Sequence, residues 1–309
     1  GVEGGGGGGR GAGGRGIEMS GGGGAHVRGN RVDRSGSGDD SRKWSRGSGL
    51  WTWSCTDVLI EHNTFTNASG PGDSAGCHID FNCRNVVVQY NLSARNAGGF
   101  VEILGNNYNC AYRYNVSVDD GHRVKGEAGA FQEGKSFWLS GYVGSKRQPT
   151  GPFNSYIYNN TVYVSKDIVA KVSVTPSAAG VLVANNIFNW VGDSRDVVGD
   201  QLRGQRGAVD PIPRAVFRNN LFLRRDSWPA GVTLQDEAPI FGDPQFANPG
   251  GLDLQDYLPR NHALSKDAGI EIAMIPGDET GLALGLEVSH DILGQPIWGK
   301  PDLGAIEAP

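Results

Sequence analysis

A short pattern recurs along the chain and restricts its possible folds more than any other feature: a run of β-branched or aromatic residues ends in asparagine, and a second apolar run follows. Successive asparagines of this pattern are 33, 28, 24, 45, 26 and 34 residues apart, and we interpret the step of 45 as two turns. A repeat of about 22 to 34 residues suits one coil of three short strands and three turns, the unit of a parallel β-helix. The seven asparagines are Asn30, Asn63, Asn91, Asn115, Asn160, Asn186 and Asn220.

The physical chemistry of the repeat agrees with this interpretation. Alternate residues inside each run are apolar, so one side of every strand can face a core. An asparagine at the same corner of each coil lies about 4.8 Å from the next, close enough for the side-chain amides to pair. The sequence therefore predicts an all-β protein, a right-handed parallel β-helix over residues 16–243. A glycine-rich start at residues 1–15, which suggests a truncation point, precedes it, and an irregular C-terminal cap at residues 244–309 follows.

Composition removes several classes of function. The formal net charge of −5 gives no basic field for nucleic acid, and no apolar run approaches the roughly 20 residues of a membrane helix. Glycine supplies 49 of the 309 residues, which favours a chain with many turns over a helical bundle. Because no capping element precedes the first strand of the predicted β-helix, we expect self-association through the uncapped N-terminal end.

Two of the four cysteines follow the register of the repeat. Cys55 lies eight residues before Asn63, and Cys83 lies eight residues before Asn91, so the two cysteines are predicted to stack on adjacent coils. A separation of about 5 Å between neighbouring strands suits either a disulfide or a pair of buried thiols.

Three stretches carry a resemblance to a known group of proteins. Residues 50–63 read LWTWSCTDVLIEHN, residues 73–83 read DSAGCHIDFNC, and residues 302–307 read DLGAIE. With these motifs the chain resembles the bacterial right-handed parallel β-helix proteins of the pectate-lyase-like superfamily, which include many secreted carbohydrate-active members. The resemblance implies an extracellular or cell-surface protein that binds polysaccharide. His78 departs from the pattern, because relatives often have an acidic residue there.

Function in a β-helix usually lies on one outer face, where equivalent positions of successive coils form a row. Alignment of the cysteines, and of Gly76 with Gly98, predicts such a row beside several aromatic side chains. The row consists of Thr52, Asp80, Glu102 and Lys125. The residues predicted to contact a sugar are Trp44, Trp51, Trp53, His78, Asp120 and Arg123.

Paired carboxylates are the chemical reason for predicting a glycoside hydrolase. Two acidic groups held close together differ in pKa, which makes one of them an acid and the other a base or nucleophile. We expect Asp80 and Glu102 to form the pair, with Asp73, Asp119 or Asp120 as an alternative partner. Strict register places them about 5 Å apart, near the retaining distance, whereas a slip of two residues gives about 8 Å, in the inverting range.

Two further functions remain open from the sequence. In a polysaccharide lyase, Asp80 and Glu102 would hold Ca²⁺, and Lys125 or Arg123 would take the C5 proton of a uronate. In a binding or structural β-helix, such as an adhesin, a tailspike-like domain or a filament subunit, the same face would lack catalysis. The hydrolase needs no cofactor, so calcium is expected only for the lyase.

Overall fold

The computed structural model describes residues 2–5, 7–11, 13–38, 47–199 and 210–309. Over these residues the chain winds into three sheets in which every pair of neighbouring strands is parallel. The result is the parallel β-helix that the asparagine repeat predicts. No helix in the described ranges is long and apolar enough to cross a membrane.

Each complete coil contributes one strand to each sheet, and the last turns add strands to sheets A and B only. Sheet A contains β1 (Val2–Gly5), β4 (Gly23–Arg28), β7 (Thr56–Glu61), β10 (Arg84–Gln89), β13 (Tyr108–Arg113), β16 (Phe153–Tyr158), β19 (Ala179–Ala184) and β22 (Ala215–Arg218). Sheet B contains β2 (Gly8–Arg10), β5 (Arg31–Asp33), β8 (Thr64–Thr66), β11 (Leu92–Ala94), β14 (Val116–Val118), β17 (Thr161–Val164), β20 (Ile187–Trp190), β23 (Leu221–Phe222) and β24 (Ile240–Phe241). Sheet C contains β3 (Ile17–Ser20), β6 (Leu50–Trp53), β9 (Cys77–Ile79), β12 (Gly99–Ile103), β15 (Lys135–Leu139), β18 (Ala170–Val174) and β21 (Ser194–Asp196).

The seven asparagines stand at the corner between sheets A and B. From Asn30 to Asn186, each Nδ2 donates a hydrogen bond of 2.8–3.0 Å to Oδ1 of the next asparagine. The residue before each of the seven is left-handed, with φ between 50° and 69°. Asn115 bonds directly to Asn160, so the step of 45 residues is one coil with a long loop and not two turns.

The interior is filled by the alternate residues of all three sheets. On β10, Val86 and Val88 point into this core, while Val87 belongs to a separate cluster on the outer side of sheet A. Cys55 and Cys83 occupy neighbouring positions on adjacent coils, as predicted, and both are free, buried thiols. A short hydrogen-bonded contact between them raises the pKa of Cys83 and lowers that of Cys55 to about 6.

The C-terminal segment differs from the expected end cap. Over the outer face of sheet B, Tyr257 and Leu303 pack with Tyr163 and Ile187. Over the outer face of sheet A, Ile275 and other residues of the segment pack with a second apolar cluster. The segment includes a 3-10 turn (Leu254–Tyr257) and one turn of α-helix (His262–Ser265). Its apolar residues thus lie along the side of the solenoid, because the outer faces of sheets A and B carry apolar side chains that need cover.

Candidate functional site on the outer face of sheet C

Two neighbouring rows of side chains form the outer face of sheet C. Trp51 pairs with His78, and Ile79 pairs with Ile103, which places His78 beside Glu102. Two residues further along these strands, the second row contains Trp53 and Asp80, because Asp80 N donates to the carbonyl of Thr52. The first row is Glu18, Trp51, His78, Glu102 and Trp138.

This register corrects the predicted row of Thr52, Asp80, Glu102 and Lys125. Thr52 pairs with Ile79 and faces the core, where its Oγ1 accepts a hydrogen bond from a cysteine thiol. Asp80 and Glu102 are two residues out of step, which corresponds to a Cα separation of about 8 Å in place of about 5 Å. Lys125 is exposed in the loop at residues 119–134, and the strand position next to Glu102 belongs to Trp138.

Arg123 fixes the loop that carries Asp73. Its Nη1 donates to the carbonyls of Gly70 at 3.1 Å and Asp73 at 2.9 Å, while Gln132 Oε1 accepts from Asp73 N at 2.6 Å. Asp73 has a left-handed backbone with φ 43°, a conformation that its short polar side chain tolerates better than most. Arg123 is only 7 % exposed, so it holds the loop in position and is not itself placed to contact a polysaccharide.

Three carboxyl groups meet on this face. The pKa of Glu102 is raised to about 8: burial is the largest cause, the negative charges of Asp73 and Asp80 also raise it, and Lys135 and Arg123 lower it. Glu102 is 3 % exposed, whereas Asp73 and Asp80 are partly exposed. The face therefore presents two accessible carboxyl groups beside a buried one, and the raised pKa of Glu102 favours its protonated form at neutral pH.

A group of buried cations lies beside the carboxyl groups. Lys135 Nζ donates to the carbonyl of Glu133 at 3.0 Å and lies 3.9 Å from the ring centre of Trp138. Lys171 Nζ donates to two carbonyls of the 119–134 loop and lies 3.8 Å from Glu133 Oε2. Burial lowers the pKa of Lys171 to about 8, and Glu133 counteracts this shift. The cations thus tie the loop to sheet C close to the carboxylates.

Aromatic rings flank Asp80 on the solvent side. Trp53 is 37 % exposed and meets Phe81 edge to face at 5.9 Å, and Phe81 meets Tyr142 in the same way at 5.7 Å. This row of rings follows the stacking direction of the coils. Partly exposed rings in line with carboxylates suit the apolar faces and hydroxyl groups of a sugar chain.

Asp73 shares a surface crevice, too narrow for a water molecule, with residues of the first row. Its lining includes Arg15, Ser48, Trp51, Asp73 and His78. Ser48 Oγ and His78 Nδ1 are 3.0 Å apart, and the Arg15 guanidinium lies 4.5 Å from the centre of the Trp51 ring. Trp51 and His78 are both almost fully buried, so they form the floor of the face, while Trp53 is accessible from above.

The structure separates the remaining predicted residues from this face. Asp120 is 1 % exposed and accepts hydrogen bonds from Asn96 and Ser117, so it is a structural group at the corner between sheets B and C. Burial raises its pKa to about 7. Trp44 lies outside the described residues. In the described ranges, no group of three or more His, Cys, Asp or Glu side chains is arranged to hold a metal ion.

Sequence reasoning missed Glu133, Lys135 and Lys171. All three became part of the site because the long loop folds back over sheet C. The sequence signal that could have revealed them is a lysine within a buried strand, as Lys135 and Lys171 are. A buried lysine needs a charged or hydrogen-bonding partner, so it indicates a polar site nearby.

Comparison with known proteins gives one informative similarity. The chain is 25 % identical over 285 residues to a lacto-N-biosidase of Bifidobacterium longum subsp. longum, a glycoside hydrolase. The match covers 84 % of this chain but only 15 % of the relative, so the chain corresponds to a small part of that protein. No family model matches the sequence.

Proposed function

We propose that the chain is a glycoside hydrolase that cleaves an oligosaccharide or polysaccharide on the outer face of sheet C, with Asp73 and Asp80 as its reacting carboxylates. One observation carries the proposal: these two partly exposed carboxylates stand on one face, next to exposed aromatic rings and above a buried carboxyl group. The distant similarity to a glycoside hydrolase supports the reaction class.

Exposure distinguishes the carboxyl groups that can contact a sugar from the one that cannot. A glycosidase needs one carboxylic acid to protonate the leaving oxygen and a second carboxylate as nucleophile or base. Glu102 is too deeply buried to touch a sugar, so it is a positioning group, whereas Asp73 and Asp80 are within reach. Because Glu102 is neutral at pH 7, it adds no third negative charge to the face.

The row of aromatic rings indicates how a sugar chain would be oriented on the face. Sugar rings packed on Trp53 and Phe81 would run along the stack of coils and bring a glycosidic oxygen next to Asp80. The name of the bacterial relative refers to a lacto-N-bioside, and we include that disaccharide among the proposed leaving units.

The test is hydrolysis of a panel of 4-nitrophenyl glycosides, including the lacto-N-bioside, together with neutral and uronate polysaccharides. We expect release of nitrophenol or new reducing ends, and a fall of kcat of about a thousandfold in both Asp73→Asn and Asp80→Asn. Asp167→Asn, which changes an exposed aspartate between β17 and β18, is the matched control and should keep full activity. Full activity in either site variant, or an unsaturated uronate product from the unmodified protein, would refute the proposal.

Azide separates the two roles if the enzyme retains configuration. The alanine variant lacking the acid/base should form a glycosyl azide of the substrate's own configuration, and the variant lacking the nucleophile should form the opposite anomer. Proton NMR of the products identifies each anomer. An inverting enzyme is recognised in the same spectra from the first product of the unmodified protein.

A further inference from the structure

A second concave site lies on another side of the solenoid. A cavity of about 870 Å³ separates the C-terminal segment from the outer face of sheet A near the asparagine corner. Its inner wall includes Tyr114 and Tyr158, and three stretches of the segment, at 269–272, 286–290 and 296–301, form the rest. This volume falls in the range of small-molecule sites in proteins.

One polar group that lines this cavity, the hydroxyl of Tyr114, has no hydrogen-bond partner in the described part of the chain. Tyr114 is only 3 % exposed, yet its hydroxyl makes no hydrogen bond there. The neighbouring Tyr158 hydroxyl, in contrast, donates to the carbonyl of Leu286 at 2.7 Å and accepts from Arg113 at 2.8 Å. Because the Tyr114 hydroxyl is not among the fully enclosed polar atoms that lack a partner, it is reachable from the cavity and can donate or accept a hydrogen bond there.

The mouth of the cavity combines an exposed aromatic ring with carboxylates. Trp298 is 81 % exposed, the most exposed large hydrophobic side chain among the described residues. Glu271 and Glu287 also line the cavity and are exposed, and in the described structure neither is engaged in an ion pair or a side-chain hydrogen bond. An indole next to hydrogen-bond acceptors matches a sugar ring, which offers an apolar face and several hydroxyl donors.

The charges of the lining restrict the class of sugar. Two unpaired carboxylates would repel a uronate or a sialylated glycan, and they would accept hydrogen bonds from neutral hydroxyl groups. Lys300 lies on the same lining but only as one cation against two carboxylates. A neutral oligosaccharide therefore fits better than an acidic one.

We propose that this cavity is a second carbohydrate-binding site, which takes a short neutral oligosaccharide through Trp298, Tyr114 and the two glutamates. It lies on the outer face of sheet A, whereas the proposed hydrolytic face lies on sheet C. Binding there would anchor a glycan chain and raise its effective concentration at the second face. The proposal goes beyond hydrolysis and does not depend on it.

The test measures binding of lacto-N-tetraose and cellotetraose, with tetragalacturonate as the acidic probe, by calorimetry and tryptophan fluorescence. We expect a neutral probe to bind, Trp298→Ala to weaken that binding about tenfold, and Tyr114→Phe to weaken it about fivefold. Leu284→Ala changes another exposed apolar side chain of the same segment, 50 % exposed and outside the cavity, and should leave binding unchanged.

A Trp53→Ala variant separates the two sites. It removes the exposed ring on sheet C, so binding that survives in Trp53→Ala and is lost in Trp298→Ala belongs to the cavity. The proposal fails if no neutral probe binds, if Trp298→Ala binds as tightly as the unmodified protein, or if tetragalacturonate binds best. Because Trp298 is exposed, its replacement should not disturb folding, and an unchanged thermal midpoint verifies this.

Discussion

Replacement of Glu102 by glutamine tests the electrostatics of the proposed site through stability. Glu102 is buried, and its pKa is raised from 4.5 to about 8. Between these two pH values the folded protein holds one proton more than the unfolded chain, so the unmodified protein loses stability as pH rises through this window. Glutamine has nearly the same shape as glutamic acid but cannot ionise, so the stability of the variant should not fall with rising pH for this reason.

The size of the effect follows from the pKa shift. At about 1.4 kcal/mol per pKa unit, the stability of Glu102→Gln relative to the unmodified protein should grow with each pH unit, to an upper bound of about 5 kcal/mol at pH 8. Outside this window the difference should be flat. Taking the difference cancels other groups that titrate in both proteins, among them Asp120 and Glu307, whose pKa values burial raises to about 7.

The assay is urea unfolding at fixed ionic strength from pH 4.5 to pH 9, with Glu279→Gln as a control for loss of an exposed carboxylate. A difference between Glu102→Gln and the unmodified protein that stays constant within about 0.5 kcal/mol across the window would refute the argument that Glu102 is held protonated. A difference that falls with rising pH would mean that Glu102 is a stabilised anion, paired with Lys135.

Further substitutions test the frame around the site. Asn115→Ala removes a buried side chain that bonds to Asn91 and Asn160, and urea unfolding should show a loss of about 3 kcal/mol or more, against almost none for Gln148→Ala, which removes an exposed amide. Gly99→Ala should cost more than about 2 kcal/mol, because φ is 150° and an added Cβ would overlap the carbonyl oxygen of a neighbouring strand. Lys171→Met should abolish a rise of stability with pH between about 8 and 10.5, where the folded protein holds fewer protons than the unfolded chain, and a rise that persists in the variant contradicts this reasoning.

The fold could be predicted because its signal repeats. Each coil needs an asparagine at the same corner, and the spacing of Asn63 and Asn91 alone is enough to align their coils. The same spacing aligned Cys55 with Cys83 correctly. The spacing does not show whether the two cysteines form a disulfide. In the structure both are free thiols.

The site could be predicted only in part, because its register depends on turns that do not repeat. Cys55 comes three positions after Thr52, whereas Cys83 comes four positions after Ile79, although Thr52 pairs with Ile79 and the cysteines are also paired. One extra residue in that turn shifts every outer position by one relative to a count from the cysteines. A count along the chain cannot place this extra residue, since both turns are short and each mixes one aromatic residue with polar ones.

The second error came from aligning glycines. Gly76 and Gly98 were treated as equivalent, but Ala75 bridges to Gly99, so the position equivalent to Gly76 is that of Phe100. These glycines are needed for local reasons: an added Cβ at Gly98 would overlap the carbonyl of Asp73. A glycine required by close backbone approach carries no information about coil register.

The longest step of the repeat has the most direct connection to function. The step from Asn115 to Asn160 contains the loop at residues 119–134, whose Arg123 and Gln132 hold Asp73 and whose carbonyls bond to Lys171 of sheet C. The C-terminal segment covers the outer faces of sheets A and B. The loop at residues 119–134 lies instead against the outer face of sheet C. In a solenoid, regular coils specify the scaffold and insertions specify chemistry, because an insertion can change one face without disturbing the stacking of its neighbours. An irregular step in an otherwise regular asparagine repeat is therefore the place to search for a site.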